Sequence, residues 1–426
     1  MQLKKPGSIL HALAAATCGL FAGTPAAQAQ MAARPAPPST WEVDSALLIY
    51  SEQDRVTAIE PVVRIKKQLS EDEDIAFKLV VDSLTGPSPS GAVPSTAPQT
   101  FTSPSGNDIY STPANAVPLD PTFLDTRVAL SFDWTRPLGA ERRIVYTGHG
   151  SKEFDYTSIG LGATVLQDFN SRNTTVSAGL SYNADRVEPV GGAPSGLATQ
   201  PAFPAVKPIV GKSEGKSVFD ALLGVTQLVN RSTLTQFNYT FGRDSGYLTD
   251  PYKLVSVVDP VSGIPLQTIY EKRPEDRSRN ALYWRMLKAF DRDVLDLSYR
   301  YYWDDWGIKA HTVDLRYRRD LDGRYFEPHL RYSKQSSAAD FYRPFLRTGE
   351  SVQFASADYR LAPISTLTAG VKYAVPTKTG EFSVRLEFML QTGEDHPAGA
   401  PGQLASQDLF PDTRALILQF SYSLGW

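Results

Sequence analysis

Few residues of this chain are placed to do chemistry. His149-Gly150-Ser151 has H-x-S spacing. On a strand, side chains two apart share a face, so an imidazole and a hydroxyl would stand together as an acyl hydrolase needs. No third group to orient the imidazole is apparent, and the pair continues the face of Val145 and Thr147. An exposed strand end is the expectation. Asp304-Asp305 followed by His311 offers the carboxylates and imidazole of a rim protease. A polar tight turn between Trp303 and Trp306 explains the same residues more simply. His149, His311, His329 and His396 are scattered, with no H-x-x-x-H or H-x-x-E spacing. Asp250, Asp259, Asp408 and Asp412 read as solvated loop tips, with at most weak affinity for Ca²⁺, since no EF-hand spacing accompanies them. There is no phosphate-binding glycine loop and no haem C-x-x-C-H motif. The expectation is therefore no enzyme, no catalytic residue, no metal site and no cofactor.

The elements that would carry these residues say more. With 42% apolar and 21% charged residues, the chain is too hydrophobic to be disordered. A net charge of −3 without a basic block argues against nucleic acid as a partner. Lys4 and Lys5, the apolar stretch Ile9 to Phe21, and Ala27-Gln28-Ala29 form a secretory signal with cleavage expected after Ala29. The single cysteine, Cys18, lies inside it, so residues 30–426 are free of disulfides. Thr17 is a poor residue before a lipidated cysteine. Residues 30–40 read as a flexible lead-in and residues 41–426 as one domain.

That domain alternates with period two. Ile159, Leu161, Ala163 and Val165 interleave with Ser158, Gly160, Gly162 and Thr164. Phe382, Val384, Leu386, Phe388 and Leu390 interleave with Ser383, Arg385, Glu387 and Met389. Each such strand has one apolar and one polar face. Seventeen candidates follow: 41–51, 56–67, 75–83, 123–135, 143–153, 155–167, 173–185, 217–229 and 233–242, then 280–290, 294–303, 308–319, 325–336, 354–361, 365–375, 381–392 and 414–426. Short polar turns, among them Asp320 to Arg324, alternate with long Pro/Gly/Ser-rich connections near 83–121, 186–215, 243–279, 337–353 and 393–412. After the leader no run of about 18 apolar residues occurs, which excludes a transmembrane helix but not a membrane barrel. Short turns on one side and long loops on the other are the habit of outer-membrane barrels, which usually have an even strand number. The expected fold is an all-β, transmembrane antiparallel barrel of about sixteen strands, eighteen being the alternative. The weak places are 354–361 and the division of 143–167.

The last segment strengthens this. Leu416, Leu418, Phe420, Tyr422, Leu424 and Trp426 alternate with Ile417, Gln419, Ser421, Ser423 and Gly425, and the chain stops on the aromatic. Phe420, Tyr422, Leu424 and Trp426 form a candidate assembly signal that outer-membrane insertion machinery would capture by edge pairing. Trp41, Trp134, Trp284, Trp303, Trp306 and Trp426 suit girdles at the headgroup layers. A soluble sandwich would bury the apolar faces instead.

The chain also resembles an uncharacterised family of Gram-negative outer-membrane proteins with a domain of unknown function, number 3570. Stretches carrying the resemblance include Val80-Val81-Asp82-Ser83-Leu84-Thr85-Gly86, Gly246-Tyr247-Leu248-Thr249-Asp250-Pro251-Tyr252-Lys253, Trp303-Asp304-Asp305-Trp306-Gly307, Ala339-Asp340-Phe341-Tyr342-Arg343 and Gln407-Asp408-Leu409-Phe410-Pro411-Asp412. The resemblance implies an outer-membrane location and brings no activity or site residue with it.

If apolar residues face lipid, the alternate set lines the interior. It contains Glu60, Arg64, Lys66, Asp133, Arg285, Asp296, Arg300, Asp314, Arg316, Arg318, Glu327, His329, Arg331, Asp358, Arg360, Lys372, Arg385 and Glu387. Two readings follow: a porin-like channel for small polar solutes with a basic and an acidic wall, or a barrel closed by arginine–carboxylate ladders that serves as a scaffold for a periplasmic or surface partner. A loop such as 84–121 would supply the constriction by folding inward. An outer-membrane hydrolase is the weaker third reading.

Overall fold

The structure is a computed structural model that describes residues 41–121, 123–410 and 412–425. The expected leader, the lead-in and Trp426 lie outside the described residues. Sixteen strands close into one antiparallel barrel, each paired with its neighbours in sequence and the last with the first. They are β1 (Trp41–Glu52), β2 (Thr57–Ser70), β3 (Glu73–Thr85), β4 (Leu124–Pro137), β5 (Arg142–Lys152), β6 (Tyr156–Phe169), β7 (Thr174–Val187) and β8 (Glu214–Asn230). The second half is β9 (Thr233–Gly246), β10 (Asp276–Phe290), β11 (Asp293–Asp304), β12 (Lys309–Leu321), β13 (Arg324–Gln335), β14 (Ile364–Pro376), β15 (Gly380–Thr392) and β16 (Thr413–Gly425). Closure runs from Glu42 opposite Gly425 to Glu52 opposite Ala415. No helix among the described residues is long and apolar enough to cross a membrane.

Local chemistry explains the ends of the strands. At one end the turns are tight, and residues with positive φ make them so: Asn170, Ser171 and Arg172 between β6 and β7, Asp322 and Gly323 between β12 and β13. Two successive positive φ values suit a two-residue hairpin, because that turn matches the strand twist. At the other end lie the five long connections, 86–123, 188–213, 247–275, 336–363 and 393–412, together with the short ones at 53–56, 153–155 and 305–308.

The two faces of the wall separate as the alternation demands. Ile159 and Leu161 point outward and are 64% and 72% exposed, while Tyr156 and Ser158 on the same strand are buried inside. Leu79, Leu130, Leu180, Leu223, Phe237 and Phe388 repeat this around the barrel. So wide a belt of exposed apolar side chains is untenable in water and is the surface that acyl chains cover.

One expected strand is absent. Residues 354–361 form a loop ending in a 3₁₀ turn, Tyr359–Leu361, tied by isolated bridges to Lys272 and Tyr342. Phe354 and Leu361 pack against Phe341 and Trp306 instead of facing outward. The stretch 143–167 does divide into two strands, so removing 354–361 alone brings seventeen to sixteen.

Leu161→Arg places a charge at the middle of the outer face. It is expected to cost roughly 2–4 kcal/mol, read as the shift in urea midpoint of the barrel refolded into lipid vesicles; an unchanged midpoint would contradict a lipid-facing Leu161.

Candidate functional site: the lumen wall and its loop cap

Of the residues expected inside, Glu60, Arg64, Lys66, Asp133, Arg285, Asp296, Arg300, Asp314, Arg316, Arg318, Glu327, His329, Arg331, Lys372, Arg385 and Glu387 all share the parity of the buried, inward positions on their strands. Most of their charges pair with one another, along one strand or across one or two strands. Arg64 lies 3.4 Å from Asp44, Arg285 2.7 Å from Asp296, and Arg385 3.0 Å from Glu387 and 3.3 Å from Glu327. Asp82 and Arg127 pair directly beside Glu60, which is 5% exposed. His329 stands between two carboxylates, its Nδ1 2.7 Å from Glu387 and its Nε2 3.0 Å from Asp314. Ionised carboxylates only accept, so this geometry calls for both ring nitrogens to donate.

Two arginines depart from the ladder. Arg300 and Arg318 have no carboxylate within 4.0 Å among the described residues and instead cover rings, Tyr302 at 5.3 Å and Tyr325 at 3.7 Å. Both keep part of their surface open to the interior. On β10–β15 the inward cations outnumber the carboxylates; across the lumen on β4–β9, Asp125, Asp133, Asp168, Asp185, Asp220 and Asp244 outnumber Arg127, Arg143 and Lys216. A cavity of about 260 Å³ opens on that acidic wall, lined by His149, Asn183, Asp185, Lys216, Asp220, Asp244 and Arg279.

Asp358 and Arg360 do not line the lumen, contrary to expectation. With 354–361 a loop, they belong to a cap built from the five long connections. Loop 86–123 meets loop 247–275 through Leu254 N donating to Ser90 O at 2.8 Å and Val93 N donating to Ser256 Oγ at 3.0 Å. Loop 393–412 meets both, through Gln403 Nε2 to Gly263 O and Gln407 Nε2 to Asn115 Oδ1. Gln200 Nε2 ties loop 188–213 to Thr102 O. Gly91 permits the closest approach: its φ is +96° and a Cβ there would lie 2.4 Å from Leu254 O. Tyr359 carries the cap to the inner wall, packing against a cluster that includes Leu48, Tyr50 and Phe123. The segment at 358–361 thus reaches the mouth together with the end of loop 86–123.

An ionic cluster holds the centre of the cap. Arg360 Nη2 lies 2.5 Å from both Asp250 and Asp358, Arg273 2.6 Å from both Glu271 and Asp358, and Lys253 donates to Pro89 O. The three acids and three bases balance, and all are nearly inaccessible to water. Burial alone would raise Asp358, but Arg360 and Arg273 hold its carboxyl well below the usual carboxylate range. Asp250 is likewise lowered against burial, by Arg360 and Lys253, whereas burial prevails over Arg273 at Glu271 and raises it. Asp250 is therefore an ion-pair partner rather than a solvated tip. Asp259 and Asp408 do serve as local caps for backbone N–H groups, at Ser262 and Phe410.

Two of the catalytic candidates share a face and two do not. His149 and Ser151 face inward; Ser151 is buried rather than exposed, and His149 Nδ1 lies 3.3 Å from Ser131 Oγ. Asp304 is engaged by Arg277 and Tyr302, while His311 points outward and lies tilted against Tyr301. Trp306 is no girdle residue: it is 3% exposed, under Arg277 and against Phe341. Trp303 does lie on the outer face near the loop end, stacked on Tyr301.

A sequence-family profile described as protein of unknown function (DUF3570) matches residues 10–424, so the chain belongs to that family. No curated protein sequence matches. Among solved structures the chain is similar to a bacterial polysaccharide outer membrane secretin at 7% identity, covering 91% of this chain and 99% of that one, with a TM-score of 0.44. It is similar to the toluene transporter TodX of Pseudomonas putida at 11% identity, 92% and 90% coverage and a TM-score of 0.38. For the ferric enterobactin receptor PfeA of Pseudomonas aeruginosa the values are 9% identity, 90% and 59% coverage and 0.43, so the chain spans about three fifths of that receptor. These likenesses are distant, and the barrel reading stands on its own strand pairing.

Arg360→Leu leaves buried Asp250 without its ion-pair partner and Asp358 with Arg273 alone, a loss of the order of 3–5 kcal/mol. Because Arg360 is in no barrel strand, the loops should become cleavable by chymotrypsin while the barrel still migrates as folded. The lowered Asp250 and Asp358 stabilise the cap above the ordinary carboxylate value, about 4, and that share is lost as pH falls through their depressed values. Glu271, being raised, contributes with the opposite sign. Hydrogen exchange in the loops should thus hold from pH 7 to 5 and rise only below about 4; loosening already at pH 6 would contradict the assignment.

Proposed function

We propose that the protein resides in the outer membrane, with its short turns in the periplasm and its long loops outside, and that it conducts small polar solutes, anions before cations. The observation that carries this reading is the pair of arginines, Arg300 and Arg318, held on the inner face without a carboxylate partner and partly open to the interior. A sixteen-strand wall encloses more space than its side chains fill, and two fixed cations that no described carboxylate neutralises raise the local concentration of anions beside the β11–β12 wall. The apolar outer belt supplies the lipid contact. The terminal strand β16, with Phe420, Tyr422 and Leu424, is the segment proposed for recognition by the insertion machinery.

A second reading has its own support. The interlocked loops and their buried ionic cluster narrow the outer mouth, which favours a closed barrel acting as a scaffold. Conductance of the refolded protein in planar bilayers separates the two. A conduit gives steady single-channel current and, in a salt gradient, a reversal potential on the anion side; Arg300→Glu with Arg318→Glu shifts it toward cations. Absence of current at several salt concentrations removes the conduit and leaves the scaffold. The hydrolase reading is tested by esterase assay with Ser151→Ala as the control, where equal activity ends it.

A further inference from the structure

A second site lies at the loop end, apart from the lumen ladder and the ionic cluster. Asp125 stands near the start of β4, and Glu153 and Asp155 flank Phe154 in the three-residue connection between β5 and β6. All three carboxylates are buried, at 8%, 4% and 4% exposure, and one oxygen from each lies within 4.8 Å of the others. Burying three like charges so closely is costly unless a proton or a cation neutralises them.

Two further observations point to a ligand. Asp125 Oδ1 is shut off from water and accepts no hydrogen bond. Asp125 and Asp155 also open on a cavity of about 350 Å³, whose walls include Ser105, Asn107, Asp108 and Asp120 from loop 86–123. Asp155 is held in place from behind: the Tyr252 hydroxyl accepts from Val190 N at 3.0 Å and donates to the Asp155 carboxylate. Oxygen is the only ligand type the triad offers, which selects a hard cation. Two oxygens on one ion can stand at most twice the metal–oxygen distance apart, about 4.6–5.2 Å for Ca²⁺ and about 4.0–4.2 Å for Mg²⁺. Oxygens all within 4.8 Å of one another can share one Ca²⁺, and a cage of three protein carboxylates suits Ca²⁺ better than Mg²⁺, which keeps several of its waters.

We infer that Asp125, Glu153 and Asp155 bind a calcium ion at the rim of the barrel, beneath loop 86–123. The ion ties the start of β4 to the β5–β6 connection and, through Asp155 and Tyr252, to loop 247–275. The site is independent of whether the lumen conducts.

The test uses the full barrel refolded in detergent and freed of metal with EDTA. Calorimetric titration should show one Ca²⁺ site, at least tenfold tighter than Mg²⁺, and Ca²⁺ should raise the melting temperature. Asp125→Asn with Glu153→Gln, confirmed as folded by heat-modifiable migration, should weaken Ca²⁺ at least tenfold. Unchanged affinity in that variant, or no binding heat up to about 10 mM, beyond the range of weak extracellular sites, overturns the inference. Should the variant not fold, Tb³⁺ decides: tyrosine-sensitised emission from the unsubstituted protein should be displaced by Ca²⁺ and fall in Tyr252→Leu. Emission unaffected by Ca²⁺ or by that substitution overturns it as well.

Discussion

Inside a bilayer a strand has no water to satisfy its backbone amides and carbonyls, so the ladder between β1 and β16 is the contact on which the molecule depends. An open edge there would leave the groups from Glu42 to Glu52 and from Ala415 to Gly425 facing hydrocarbon. Closure removes both edges at once. It also forces every residue to one of two environments, and this is why the outward belt of Leu130, Leu161 and Phe388 can coexist with an arginine-rich interior in one chain.

The charges inside meet two different electrostatic situations. In the lumen wall, arginines and carboxylates pair about 3 Å apart along a strand or across one or two strands, and most keep partial access to water, so their pairing is cheap to form and cheap to exchange. In the cap, Arg273, Arg360, Asp250, Asp358, Glu271 and Lys253 are withdrawn from water together. Such a cluster is tolerable because it is balanced and bonded throughout; breaking any member exposes the desolvation cost of the rest. The first arrangement leaves its charges open to whatever enters the interior, and the second holds one conformation.

The legibility of the sequence followed the locality of the signal. Strand alternation is a nearest-neighbour property, and it placed all sixteen barrel strands within a few residues. It also placed the inward charges Glu60, Arg285, Asp296, Arg331 and Glu387, since parity along a strand decides the face. It failed at 354–361, where Phe354, Tyr359 and Leu361 mimic a strand's spacing but find their apolar partners inside the cap. Trp306 misled in the same way, since a tryptophan at a strand end looks alike whether it meets headgroups or Phe341. Asp125, Glu153 and Asp155 carried no readable spacing, because strand pairing and not sequence distance unites them.

By itself the sequence determined the barrel, its two-sided wall, a strand number of sixteen or eighteen, and the end at which the long loops gather. These all follow from period-two patterning and turn residues, which act over a handful of positions. Only the tertiary structure decided which charges remain unpaired at Arg300 and Arg318, that Asp250 and Arg360 meet, and that five Pro- and Ser-rich loops form a packed cap rather than separate tips. Those outcomes depend on contacts between segments up to a few hundred residues apart, and nothing in a local pattern encodes which of many compatible partners a loop will find.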